Sequence, residues 1–277
     1  MTAAPTARRP AVSLPMWQGG GTRMGFFTDS SICIGCKACE VACKEWNGVP
    51  DIDTGFTGNS YDNTSSVGAN SWRHVAFVER QRPDTGDGVQ WLMNSDVCKH
   101  CTRAACLDVC PTGAIFRSEF GTVVVQDDIC NGCGYCVVAC PFGVLERREA
   151  PDGRAFKCTL CYDRLQVGDE PACAKACPTQ SIQFGPLEEL RERAEKRLEE
   201  VKQEPRYAGA RLYGDSKDDG VGGFGAFFLL LDDPEVYGLP PKPVYRRTDL
   251  ALLWGAASVA ASLLTLGVLG SLSWRRR

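Results

Sequence analysis

The sequence predicts an α+β fold: repeated short strands and short helices arranged in two units, split by a long insert and followed by one long apolar helix. Three observations predict it. Sixteen cysteines fall into four runs of four, with none left over. Short stretches rich in β-branched and aromatic residues, bounded by glycine or polar turns, flank the runs. The stretch from Leu250 to Trp274 holds 25 residues and no charge. The 277 residues suffice for one large domain or two small ones with real cores. A formal net charge of −3 gives no reason to expect a nucleic-acid partner.

The first run is Cys33, Cys36, Cys39 and Cys43, spaced C-x2-C-x2-C-x3-C. The second is Cys98, Cys101, Cys106 and Cys110; the third is Cys130, Cys133, Cys136 and Cys140; the fourth is Cys158, Cys161, Cys173 and Cys177. A disulfide framework suits short chains that cannot build a core, and this chain is long. Closely spaced cysteines of this kind also bridge each other poorly. Structural zinc is the serious rival, with four ligands at one metal and two C-x2-C knuckles facing each other. Here each run holds three thiols and then a fourth. Three thiolates from one tight loop suit three corners of an iron–sulfur cube. The run C-x2-C-x2-C-x3-C-P is a recognised ligand pattern whose fourth cysteine serves the other cluster of a pair. Sixteen thiols at four per cube predict four [4Fe–4S] clusters.

The third and fourth cysteines are four apart in every run, which is one turn of helix. One short helix is therefore expected to hold two neighbouring clusters with its two thiols. Pro111, Pro141 and Pro178 follow three of the runs and stop the helix. The first run has Lys44 in that place. The second and fourth runs have wider gaps before the third cysteine, C-x4-C and C-x11-C, which keep the ligand count and only lengthen the loop.

The runs are internal repeats, each read as strand, cluster loop, short helix and strand. Two repeats make one ferredoxin-like unit with two clusters, and four repeats make two such units. The strand-like pieces are "GFFTDSSIC" (25–33), "GTVVVQDDIC" (121–130) and "SIQFG" (181–185). Between Cys43 and Cys98 lies an insert whose 53–72 portion is rich in Gly, Ser, Asn and Thr and reads as loop. "RHVAFVER" (73–80) alternates like a strand. Residues 186–203 read as an amphipathic helix opened by Pro186, with Leu187, Leu190, Ala194, Leu198 and Val201 on one stripe. "GAFFLLL" (225–231) reads as a buried strand or a segment covered by a partner.

A helix over Leu250–Trp274 would be roughly 37 Å long, enough for the ~30 Å hydrocarbon core. Trp254 and Trp274 lie near its ends, as interfacial aromatics do. A transmembrane helix is expected here, with Gly255, Ala256, Ala257, Ala260 and Ala261 offering small-residue contact to other membrane helices. Lys242, Arg246 and Arg247 precede it and Arg275, Arg276 and Arg277 follow it, so flanking charge does not set its orientation. Arg8 and Arg9 are followed by no apolar run of signal length. The cluster domain is expected either to stay in the cytoplasm or to be exported folded on a partner that bears the signal.

Lys37, Lys99, Lys157 and Lys175 lie inside or beside the runs. They either raise the potential of the nearest cluster, by stabilising the added negative charge, or are plain solvated lysines. His100 is expected to be a neighbour of a cluster and not a ligand, because four thiols already fill each cube. No catalytic triad or carboxylate pair stands out, and "GVGGFGAF" (220–227) lacks the strand–turn–helix setting of a nucleotide site. The chemistry expected of the chain is one-electron relay, with no catalytic residue of its own.

At this point the residues resemble a known family. "CIGCKACEVACKEWN" (33–47), "YDNTSSVGANSW" (61–72), "CNGCGYCVVACPFGV" (130–144), "KCTLCYDRLQVGDEPACAKACPT" (157–179), "GVGG" (220–223) and the single C-terminal span look like the iron–sulfur (beta) subunit of membrane-bound formate dehydrogenase. The resemblance runs from about residue 25 to the end. It implies a catalytic alpha subunit holding a molybdenum or tungsten pterin, and a membrane cytochrome b gamma subunit that reduces quinone. It also implies that the first and fourth runs share one ferredoxin-like unit and the second and third share the other. Carried over, Cys33, Cys36, Cys39 and Cys177 hold one cluster. Cys158, Cys161, Cys173 and Cys43 hold its neighbour. Cys98, Cys101, Cys106 and Cys140 hold a third, and Cys130, Cys133, Cys136 and Cys110 a fourth. The organisation that follows is a flexible segment 1–24; a double iron–sulfur domain 25–185, with units 25–52 plus 145–185 and 90–144 around the insert 53–89; a partner-contacting extension 186–248; a membrane helix 249–274; and a basic tail 275–277. The resemblance places the iron–sulfur domain on the extracytoplasmic face. The same relay role beside another molybdopterin oxidoreductase or a nickel–iron hydrogenase is the nearest alternative, and a membrane-anchored zinc protein is the alternative from a different class.

Overall fold

The computed structural model describes residues 21–52, 55–56, 61–62, 64–81, 88–216, 219–245 and 250–274. Most of the N-terminal segment, much of the 53–63 loop, Arg246, Arg247 and the basic tail lie outside the described residues. The chain divides into two compact units, Met1–Val244 and Tyr245–Arg277.

In the first unit, β1 (Met24–Asp29) leads into the first cysteine run and α1 (Ala38–Asn47). The insert folds into β2 (Arg73–Gln81) and β3 (Val89–Val97), paired antiparallel along their length. The second run carries α2 (Ala105–Asp108) and is followed by the hairpin β4 (Ile115–Arg117) and β5 (Val123–Val125). The third run carries α3 (Tyr135–Ala139), followed by β6 (Glu146–Arg147) and β7 (Ala155–Phe156). The fourth run carries α4 (Tyr162–Gln166) and α5 (Ala172–Lys175). Then come β8 (Ile182–Pro186), α6 (Leu187–Lys202), β9 (Arg211–Tyr213) and β10 (Ala226–Leu230).

The central sheet has the order β8-β1-β10-β9. β1 pairs antiparallel with β8, Phe26 opposite Phe184, which brings the end of the fourth run beside the start of the first. α1 accordingly packs on α5, and α2 on α3. β10 pairs parallel with β1, and Phe27 stacks on Phe227 with ring centroids 5.3 Å apart. The continuous apolar run of β10 is buried along its whole length, as expected of a strand covered on both faces. β9 and β10 belong to the central sheet, and α6 packs against its strands β1 and β8. On α6, Leu187, Leu190, Ala194 and Val201 are buried and Leu198 is half-buried.

In the second unit, α7 (Leu250–Trp274) is a helix of 25 residues. Among the described residues no helix is long and apolar enough to cross a membrane, which corrects the span expected over 249–274. Val259, Leu263, Leu264, Leu266, Val268 and Leu269 are exposed. The hydroxyls of Ser258, Ser262 and Thr265 turn inward to the carbonyls of Trp254, Ser258 and Ala261 at 2.7–2.9 Å.

Candidate metal centres

The cluster loops need backbone conformations that few residues supply. In the first run Gly35 has φ +66°, and Lys37 takes the left-handed region at φ 58° just before α1. The Gly35 turn lies against the Phe77 ring, so that a methyl group there would come within 2.7 Å of it.

Four quartets of thiols come together. Cys33, Cys36, Cys39 and Cys177 line one cavity. Cys98, Cys101, Cys106 and Cys140 line another. Cys43 lies within electrostatic reach of Cys158, Cys173 and Cys161. Cys136 is likewise close to Cys130, Cys133 and Cys110. Each quartet takes three thiols from one run and the fourth from its partner run. Among the described residues no three His, Cys, Asp or Glu side chains converge tightly enough to hold a single metal ion. The thiols surround a space instead.

Burial suppresses ionisation of the most enclosed thiols. It pushes Cys106 and Cys158 up to about 12 and Cys136 up to about 11, with neighbouring thiolates adding to the effect. Left alone, these three thiols stay protonated near neutrality, and the positive charge of a bound metal core would hold them as thiolate.

The quartets form a row. Cys39 of the first interacts with Cys173 of the second. Cys158 of the second interacts with Cys98 of the third. Cys106 of the third interacts with Cys136 of the fourth. The two end quartets each carry an exposed cysteine, Cys36 and Cys133, while Cys43, Cys158, Cys161 and Cys173 are all buried.

The expectation that one helix holds both the third and fourth thiols is met only in the first run. α1 contains Cys39 and Cys43. α2 ends at Asp108, before Cys110; α3 ends at Ala139, with Cys140 as its C-cap; α5 ends at Lys175, before Cys177. The prolines at 111, 141 and 178 disfavour helix in the residue before them, which is the fourth cysteine itself. With Lys44 in place of proline, α1 continues to Asn47 and closes on Gly48 in the left-handed region at φ 56°.

That extra turn supplies side chains to the second quartet. Asn47 Nδ2 donates to the Cys43 carbonyl at 2.8 Å and lies 3.7 and 3.8 Å from the sulfurs of Cys43 and Cys161. Trp46 Nε1 donates to Asp163 at 3.0 Å, and the Arg164 guanidinium lies 4.2 Å over its ring. Lys44 Nζ donates to the carbonyls of Pro50 and Asn70 at 2.6 and 3.3 Å.

The lysines beside the runs divide into two kinds. Lys99 and Lys157 are fully buried. Lys99 pairs with Asp96 and donates to the Val97 carbonyl at 2.9 Å. Lys157 donates to the carbonyls of Val123 and, at 2.9 Å, Cys158. Lys37 pairs with Glu40 and Asp62 at 3.0 and 2.8 Å. Lys175 is exposed and is the solvated lysine of the four. His100 is buried and accepts the Val123 N–H on Nδ1 at 3.1 Å, which puts its proton on Nε2. Burial, then the charges of Lys157 and Arg23, hold it well below the usual imidazole range.

Cysteine spacing gave no signal for Arg73. It opens β2 and is 2 % exposed. Its Nη1 donates to the Ser95 hydroxyl and carbonyl at 2.9 and 3.2 Å. The Ser95 hydroxyl is 3.3 Å from the Cys39 sulfur. Only the strand pattern of 73–80 was readable from sequence, with nothing to show that its first residue points inward.

Two family profiles, both described as 4Fe-4S dicluster domain, match residues 89–187 and 32–114. The sequence is 44 % identical over 232 residues to the formate dehydrogenase iron-sulfur subunit of Haemophilus influenzae, covering 82 % of this protein and 70 % of that one. It is 43 % identical over 237 residues to the nitrate-inducible formate dehydrogenase iron-sulfur subunit of Escherichia coli, covering 84 % and 78 %. Against the B subunit of the anaerobic dimethyl sulfoxide reductase of Escherichia coli the identity is 39 % over 173 residues, covering 62 % and 78 %.

Proposed function

This protein belongs to the family of formate dehydrogenase iron–sulfur subunits, and we propose that it carries electrons from a formate-oxidising molybdenum- or tungsten-pterin subunit to a membrane cytochrome b partner. It is an electron-transfer subunit with four [4Fe–4S] clusters, in two dicluster domains. When bound, the clusters supply one-electron carriers.

The row of four quartets with exposed ends carries this reading. We assign Cys33, Cys36, Cys39 and Cys177 to the first cluster. Cys43, Cys158, Cys161 and Cys173 bind the second. Cys98, Cys101, Cys106 and Cys140 bind the third, and Cys110, Cys130, Cys133 and Cys136 the fourth. Oxidation of one formate to carbon dioxide releases a proton and two electrons on the catalytic partner, and the electrons then cross the row singly. On this reading electrons enter and leave the row beside the exposed Cys36 and Cys133. The interior thiols are shielded from water, which keeps electrons from leaking to solvent along the way.

The exposed apolar side chains of α7 support an apolar contact for this helix with the membrane partner. We place α7 at the membrane beside the cytochrome partner, and the iron–sulfur unit on the extracytoplasmic face. Formate is favoured over other substrates of molybdopterin oxidoreductases because the likeness to formate dehydrogenase subunits spans 82–84 % of the sequence, against 62 % for the dimethyl sulfoxide reductase subunit.

Anaerobic purification in mild detergent tests the reading. About sixteen iron and sixteen sulfide per polypeptide are expected, with a pterin-containing subunit retained and formate-to-quinone activity in the complex. Zinc without sulfide, or a retained subunit with a nickel site, overturns it. Protease treatment of intact cells stripped of their outer layer checks the face: protection of the iron–sulfur unit refutes the extracytoplasmic placement.

A further inference from the structure

A buried guanidinium needs compensating negative charge, and Arg73 has no carboxylate in ion-pair distance among the described residues. Of its donors, Nη1 is used by Ser95, Nε and Nη2 are buried with no oxygen partner, and the guanidinium donates toward the Cys173 sulfur. The ring of Phe26 lies 4.9 Å from the guanidinium carbon and closes one side. The charges that act on Arg73 are the sulfurs of Cys173, Cys39, Cys158 and Cys43. Cys39 belongs to the first quartet; the other three belong to the second. Arg73 therefore stands where the two quartets meet, joined through Ser95 to Cys39 of the first and lining one cavity with Cys43 of the second, and the three N–H groups on Nε and Nη2 have no oxygen partner.

We propose that Arg73 is a positioning residue shared by the first two clusters, donating Nε and Nη2 to the sulfur faces that meet around it and holding both potentials up. The inference rests on the cluster assignment above. A four-thiolate cube is net negative and gains one further negative charge on reduction. A fixed, buried cation stabilises the reduced form more than the oxidised one, and low local dielectric strengthens the effect. Arginine suits the place because it stays charged when buried and presents several donors in a rigid fork. Through Nη1 and the Ser95 hydroxyl it also reaches the Cys39 sulfur. No bond is made or broken: one electron arrives, and the guanidinium stays protonated.

Redox titration of the Arg73→Gln holo-complex, followed by paramagnetic resonance, tests this. Two of the four transitions are expected to move to lower potential, each by at least tenfold in its reduction equilibrium, 59 mV for a one-electron couple. The other two stay in place. Arg73→Lys keeps the charge without the fork and is expected to give a smaller shift of the same two transitions. A purely structural role would lower cluster content or melting temperature and leave the midpoints of assembled protein unmoved. The wild-type complex labelled with 15N-arginine gives a second readout that needs no variant: reduced clusters are expected to show coupling to arginine nitrogen. Unmoved midpoints with four clusters present, or four equal shifts, overturn the proposal, as does absent nitrogen coupling if the Gln variant fails to assemble. Fewer than four clusters in the wild type would overturn the cluster assignment itself, and the inference with it.

Discussion

Lys44→Pro restores in the first run the proline that follows the other three, and it is expected to be harmful there. α1 runs from Ala38 to Asn47, so residue 44 lies in its interior. A proline at 44 deletes the N–H that bonds back to the Glu40 carbonyl and drives its ring into that carbonyl, costing about 3 kcal/mol. Losing the Lys44 ammonium from the Pro50 and Asn70 carbonyls adds about 1 kcal/mol. At 2–4 °C per kcal/mol for a protein of this size, about 4 kcal/mol lowers the apparent melting temperature by roughly 8–16 °C. The assay is anaerobic heating of the holo-protein, with the visible cluster absorbance as readout. Pro111→Lys serves as the control, because α2 has ended at Asp108 before that exposed proline. It should cost no more than about 1 kcal/mol, the conformational gain that a loop proline gives. A Lys44→Pro melting temperature within about 2 °C of wild type would refute the account of why the first run departs from the other three.

Asn47→Ala removes an amide from the sulfurs of Cys43 and Cys161, and should lower the second cluster's potential by roughly 20–60 mV with the other three unmoved; an unchanged titration would show those contacts to be idle. Lys157→Met orphans the carbonyls of Val123 and Cys158 and should destabilise by about 2 kcal/mol or more in thermal unfolding, whereas Lys175→Met, at an exposed and screened site, should leave both melting temperature and midpoints within error. Gly35→Ala forces a methyl group toward Phe77 at φ +66° and should lose about one cluster's iron and sulfide per polypeptide, while Gly113→Ala, at φ +69° with no atom within 4 Å, should cost about 1 kcal/mol and keep all four.

The thiols were legible because ligation imposes short, repeated spacings, and sixteen cysteines in four runs leave little else to read. The strands β1 and β8 were legible from composition and bounding turns, and β2 and the stripe of α6 from periodicity. The role of β10 was open in the sequence, because a run apolar on both faces looks the same whether its cover is a partner or its own chain. Its parallel pairing with β1 is a contact about two hundred residues apart, and local pattern carries no record of it. The cations were harder still. Lys157 and Lys175 look alike beside their cysteines, yet one is buried and the other exposed. Arg73 lies on a strand of the insert, well past the first run, and only the β2–β3 pairing with its bond to Ser95 brings it inward.

The gap lengths govern which clusters meet solvent. As spacings they change nothing in the ligand count, but the two compact runs, first and third, are the ones that leave a cysteine exposed, at Cys36 and Cys133. In the stretched runs the equivalent cysteines, Cys101 and Cys161, are half-buried and buried. The added residues explain the difference. In the fourth run they fold into α4, which begins directly after Cys161 and brings Arg164 onto the Trp46 ring. In the second run, Thr102 and Arg103 donate their backbone N–H groups to the carbonyls of Gly223 and Val221 at 3.0 and 2.7 Å, so "GVGG" is drawn over the loop. Gly222 lies against Thr102 and Arg103 there at φ +78°, a conformation and closeness that a side chain would disturb. A wider gap is thus the device that covers a cysteine of an interior quartet, and a tight one leaves a cysteine open at the end of the row. The exposure of Cys36 and Cys133 at the ends of the row thus follows from loop length as much as from the thiols themselves.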